Sequence, residues 1–160
     1  MKRLAAVVAA AVVAVTGVAG VPAGAADEVA SCNLLTRKEI TRELGQRARA
    51  GDDDLVKGLC QWNLVATDDR APGQVNAWVE RGDGASRQFR LAAQIVGTEP
   101  VDGLGRKAAF NAESGTVFVL LDGSTMFYVQ VNVYDGAQVR LTDGLLEHVS
   151  ALAEKAEARL

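Results

Sequence analysis

The chain has two cysteines, Cys32 and Cys60, so only one intramolecular bridge is open to it. Such a bridge persists chiefly in oxidising compartments, and the N-terminus has the pattern that leads there. Met1-Lys2-Arg3 is a positive start, residues 4–15 are an apolar run of small and β-branched side chains, and Ala23-Gly24-Ala25-Ala26 is a small-residue cleavage site. Residues 1–26 therefore read as a secretory signal peptide. Gly17, Gly20, Pro22 and Gly24 interrupt the run before the roughly 20 apolar residues that a membrane span needs. Residues 27–160 are expected to form a single secreted domain closed by Cys32–Cys60, a loop whose closure is worth about 3.5 kcal/mol. A competing reading takes Val29-Ala30-Ser31-Cys32 as a lipobox with an acylated Cys32. Asp27 and Glu28, two charges between the apolar region and that box, count against a lipid anchor at Cys32, which would also leave Cys60 unpaired.

Hydrophobic residues make up 49% of the 160, enough for one core. Cleavage would remove Lys2 and Arg3 from the 17 basic residues and none of the 20 acidic ones, taking the net charge from -3 to -5. An acidic surface argues against nucleic acid as a partner. No polybasic cluster points to anionic lipid, and no stretch of the mature chain is apolar enough to span a membrane.

Thr36-Arg37-Lys38-Glu39 fits a capping box, with Leu35 and Ile40 placed as a hydrophobic staple, and predicts a helix over 37–44 that stops at Gly45. Residues 46–58 are charged and read as a loop. Alternation predicts a hairpin of strands at 59–66 and 74–81, with Cys60, Trp62 and Leu64 inward and Trp78 opposite them. Helical spacing returns over 85–96. Residues 100–105 read as a tight connection, in which Gly103-Leu104-Gly105 is a turn rather than a phosphate loop. Strands follow at 107–112, 116–121 and 125–134, and the second of these is apolar on both faces, which implies cover on both sides. A last helix over 142–160 presents Leu145, Val149, Leu152, Ala156 and Leu160 as one stripe. The expected fold is α+β, in the order α-β-β-α-β-β-β-α, with an antiparallel sheet of about five strands and helices packed on one face.

Cys32-Asn-Leu-Leu-Thr with Glu39, Gly45, Cys60-Gln-Trp62, the Val101-Asp-Gly-Leu-Gly105 turn and the C-terminal amphipathic stripe together resemble a family of actinobacterial secreted proteins and lipoproteins of unknown function. The resemblance spans nearly all of the mature chain and implies a disulfide-stapled domain of the cell envelope. It implies no activity. Members often carry an acid after Gly-Leu-Gly, where this chain has Arg106-Lys107, and no cysteine stands here where many members are lipid-anchored.

Chemistry-bearing residues are few. His148, the lone histidine, lies beside Glu147 on the polar side of the last helix and reads as solvent-facing, with no serine or cysteine visibly paired to it. The Asp52-Asp53-Asp54 run lacks EF-hand spacing, so neither a metal nor a cofactor is implied. The one constellation is the sheet side opposite Cys60, Trp62 and Leu64, which collects Gln61, Asn63, Asn76, Trp78, Tyr128, Gln130, Asn132 and Tyr134. Rings supply area and amides fixed hydrogen bonds, the means of holding an uncharged polar ligand. The same pattern fits an ordinary solvent face, or core if a helix covers it. The expected function is a non-enzymatic extracellular binding module of the cell envelope, for a glycan, a peptide or another secreted protein. The alternatives are an envelope-directed hydrolase and a protease inhibitor acting through the loop at 52–58.

Overall fold

The structure, a computed structural model, describes residues 30–52, 58–135, 138–140 and 144–160, without the side chains of 134–140. The signal-peptide segment and most of the loop at 52–58 lie outside the described residues.

Helix α1 (Arg37–Leu44) starts as its sequence predicts. The Thr36 hydroxyl accepts from the Glu39 N–H at 3.3 Å, and the Glu39 carboxylate accepts from the Thr36 N–H at 2.8 Å. Two N–H groups that no helical turn can satisfy are thereby paired. Leu35 and Ile40 are both buried, and Gly45 closes the helix in the left-handed region at φ 62°. Strands β1 (Leu59–Leu64) and β2 (Gly73–Arg81) form the expected hairpin. They are followed by α2 (Ala85–Ala92), β3 (Thr98–Val101), β4 (Lys107–Asn111), β5 (Thr116–Leu120), β6 (Thr125–Asp135), β7 (Gln138–Arg140) and α3 (Leu145–Glu157). The sheet is antiparallel throughout, in the order β1-β2-β6-β5-β4-β3. Strand β7 pairs with the part of β6 that extends past β5.

One face of the sheet buries Cys60, Trp62, Leu64, Val75, Ala77, Val117, Val119, Phe127, Val129 and Val131 beneath Ile40 of α1 and Leu145, Val149, Leu152, Ala153 and Ala156 of α3. The α+β class and the disulfide are as expected, and the order of elements is as expected except that β3 and β7 are added to the five strands foreseen. The placement of the helices differs in one respect, since α2 packs on the other face through Ala85 and Phe89, against Ala109, Leu120 and Met126. Its position answers the two-sided apolar run of β5, where Val119 belongs to one core and Leu120 to the other.

Three further departures have local causes. Helix α2 ends at Ala92 and not at residue 96, because the Gln94 and Ile95 N–H groups bond carbonyls three residues back and Gly97 redirects the chain at φ 76°. Val96 is left 83% exposed. The supposed connection at Pro100 is an edge strand; proline is tolerated there because an edge position needs no outward donor. The Ala112 N–H bonds the Gly97 carbonyl, so the register turns the Pro100 nitrogen away from β4, toward the open edge. At the opposite edge, part of the supposed loop lines up against β1: Arg49 N–H donates to the Asn63 carbonyl, and Asp52 and Gln61 exchange backbone bonds, all at 2.9 Å. Gly51 makes this approach possible, since a Cβ there would lie 2.6 Å from the Cys60 sulfur and 2.7 Å from Trp62 Nε1. The Gly103-Leu104-Gly105 segment is a turn, with Leu104 buried and the Gly105 N–H donating to Glu157 at 3.1 Å.

The Cys32–Cys60 bridge, with Cα atoms 4.9 Å apart, fastens the short 3-10 turn Ser31–Asn33 to β1. The Ser31 hydroxyl donates to the Gly58 carbonyl beside it. Arg159 binds α1 to the chain's end, donating to Glu39 and to the Leu34 carbonyl, each at 2.6 Å. Burial pushes the Glu39 carboxyl up, but the Arg159 guanidinium and the Thr36 hydroxyl and N–H together outweigh it and bring the pKa from 4.5 to about 2.

Two outcomes follow for stability. Reducing the bridge should remove about 3.5 kcal/mol and lower Tm by about 10 °C, read by calorimetry with and without reductant; an unchanged Tm would refute the staple. Because the folded chain keeps Glu39 ionised below the pH at which the unfolded chain protonates it, this contribution is complete above about pH 4.5 and lost as pH falls toward 2. Urea midpoints across that window should fall more steeply for the wild type than for Glu39→Gln, and parallel curves would contradict the clasp.

Candidate functional site

On the face that α2 only partly covers, the pleat lines up side chains in rows that cross the strands. One row is apolar: Leu59, Trp78, Tyr128, Phe118, Ala109 and Pro100 stand on β1, β2, β6, β5, β4 and β3, each opposite the next. Its three rings are in contact, with Trp78 and Tyr128 centroids 5.8 Å apart and Tyr128 and Phe118 6.0 Å apart, the latter pair edge to face. The adjacent row is polar: Gln61, Asn76, Gln130, Thr116, Asn111 and Thr98. Beyond it stand Asn63, Gln74 and Asn132.

The sheet thus brings Trp78, Tyr128, Gln130, Asn132, Asn63, Asn76 and Gln61 to one face; the side chain of Tyr134 lies outside the described residues. Trp78 and Tyr128 are half-buried, neither fully open nor roofed over, because Trp78 packs at the margin of the cluster that α2 builds. Burial raises the Tyr128 pKa, which keeps its hydroxyl neutral and able to donate. Phe118, Gln74, Thr116 and Asn111 belong to the same face and were not expected there. For 116–120 the signal was the period-2 alternation itself, masked by the apolar character of the run.

The outer half of the polar row satisfies itself. Asn111 Nδ2 donates to the Val96 carbonyl at 3.0 Å and to the Thr98 hydroxyl at 2.9 Å, and Asn111 Oδ1 accepts from the Ser114 N–H and hydroxyl. The inner half does not. The Ser114 carbonyl can only accept, so Gln130 must turn Nε2 toward it, at 3.1 Å. Gln130 Oε1 then faces Asn76 and accepts a hydrogen bond from its Nδ2 at 3.0 Å. The relay fixes the Asn76 amide and leaves Asn76 Oδ1 without a donor among the described residues, on a side chain only 8% exposed. A buried acceptor of this kind costs about 1–3 kcal/mol unless something donates to it. Neither the Trp78 indole N–H nor the Tyr128 hydroxyl bonds a described residue.

His148 lies away from this face. Its Nδ1 is 3.3 Å from Glu43, which Lys155 also approaches at 3.4 Å, so the ring is half-exposed and joined to α1 across the α1–α3 seam, where open solvent was expected. Among the described residues no helix is long and apolar enough to cross a membrane.

No family model and no curated protein matches the chain. Among solved structures, a GTP binding regulator from Thermotoga maritima aligns with a TM-score of 0.38 at 13% identity, over 78% of this chain and 89% of its own. A likeness at that level carries no inference about activity.

The relay makes a stability test. Gln130→Met alone strands the Asn76 amide and should cost about 1–3 kcal/mol in urea denaturation, whereas Asn76→Leu with Gln130→Met removes both buried amides and should recover most of that loss. Additive losses in the double variant would overturn the relay.

Proposed function

We propose that this chain is a non-enzymatic binding module acting outside the cytoplasm, and that it holds an uncharged polar ligand, a glycan or peptide of the cell envelope, against the ringed face of its sheet. The observation that carries the reading is the half-buried ring row of Trp78, Tyr128 and Phe118, which lies beside a row of amides and whose indole N–H and phenol hydroxyl bond no described residue. Rings that offer area next to polar groups left to pair with a ligand are the elements of a site for an uncharged polar molecule. The signal-like N-terminus and the Cys32–Cys60 bridge support the compartment.

The test is calorimetric titration of the oxidised protein with soluble peptidoglycan fragments, neutral oligosaccharides and uncharged peptides. One of these classes should bind, and Trp78→Ala or Tyr128→Ala should weaken it tenfold or more, about 1.4 kcal/mol. Binding that survives both substitutions but is lost on changes around Cys32 would place the site on the wrong side of the sheet.

A further inference from the structure

Beyond Phe89 the space beneath the end of α2 is not filled. Between that end and the β3–β4 hairpin lies a cleft of about 440 Å³, open to solvent and within the size range of small-molecule sites. Side-chain size accounts for it: the helix presents Ala93 and the hairpin presents Ala109 and glycines, so nothing reaches across. Phe89, Ala93, Pro100 and Ala109 form apolar walls, and Pro100 and Ala109 are also the outer members of the apolar row, which here runs under the helix.

The rim differs in character. Lys107 shares the face of Ala109, one pleat repeat away, and Arg106 stands next to it at the end of the turn. Asp102 and Glu99 also line the cleft, and the Glu157 carboxylate accepts from the Gly105 N–H beside Arg106. Neither cation makes an ion pair or a side-chain hydrogen bond with a described residue. Both cations are therefore left to meet an anion from outside the chain. The carbonyl end of the α2 dipole lies at the other side of the cleft and repels negative charge there.

We propose that this cleft binds a small amphipathic anion, its apolar body between Phe89, Ala93, Pro100 and Ala109 and its carboxylate or sulfonate head at Arg106 and Lys107. The apolar walls disfavour a strongly hydrated ligand, and the placement of charge orients the head toward the hairpin and away from the helix. This site lies at the far end of the apolar row from Trp78, and its anion-binding head does not rest on the function proposed for the rings.

The test uses 8-anilinonaphthalene-1-sulfonate as probe and decanoate as competitor, on the oxidised protein. One molecule of probe should bind per chain and be displaced by decanoate, and the uncharged analogue N-phenyl-1-naphthylamine should bind at least fivefold more weakly. Arg106→Glu with Lys107→Glu should weaken the probe tenfold or more, and so should Ala93→Trp, which places bulk in the cleft from an exposed position. Far- and near-UV circular dichroism should show both variants folded. Absence of saturable binding, or affinity indifferent to both variants, overturns the proposal. So does binding lost only with Leu91→Ser and Val96→Ser, which would assign the probe to the exposed apolar tip of residues 91–96.

Discussion

Nine residue pairs join β2 to β6, from Gly73 opposite Val133 to Arg81 opposite Thr125, and the two faces of the molecule are defined by their register. A slip of β2 by one residue against β6 would turn Val75 and Ala77 out of the core and drive Asn76 and Trp78 into it. Gly73 helps to hold the register: it is buried so tightly against the Asn132 carbonyl and the Leu64 side chain that no Cβ could be accommodated. Both cores form on this pair, one under α1 and α3, the other under α2.

The helices are short, and α1, with eight residues, is below the length at which a helix persists alone in water. It is held from three directions: by the Thr36–Glu39 box at its start, by the disulfide just upstream, and by Arg159 and Lys155 reaching from α3 and its end. The described cysteines, the helix start and Trp62 are therefore scaffold. The thiols are joined, Thr36 and Glu39 are spent on a helix start, and Trp62 is in the core.

The sequence was most informative where a residue's role is settled by near neighbours. Thr36, Glu39 and Gly45 define α1 within ten residues, and alternation in 59–64 and 73–81 assigns each side chain to its face. Pro100 was misleading because proline argues against a strand unless the strand is at an edge, and edge position depends on the whole sheet. The two-sided run of β5 implied cover on both faces, yet which helix supplies it rests on where α2 stops. The site divides in the same way. Trp78, Tyr128, Asn76 and Gln130 could be placed together by alternation alone. The unsatisfied part, the Asn76 acceptor, could not, because it follows from a carbonyl at Ser114 that only the turn between β4 and β5 brings within reach. The cleft was equally hidden, since Arg106 and Lys107 meet Phe89 and Ala93 only through the fold.

At both ends of the β1-to-β3 path the sheet is closed to further pairing, at β1 by the backbone of residues 47–52 and at β3 by a proline nitrogen turned outward with the Thr98 N–H already given to Ile95. A partner cannot simply add its main chain there as another strand, a mode of contact that is largely blind to sequence. Recognition at these ends passes through side chains on the faces, where single substitutions can retune it. A sheet closed at those ends can keep its fold constant while its choice of partner drifts.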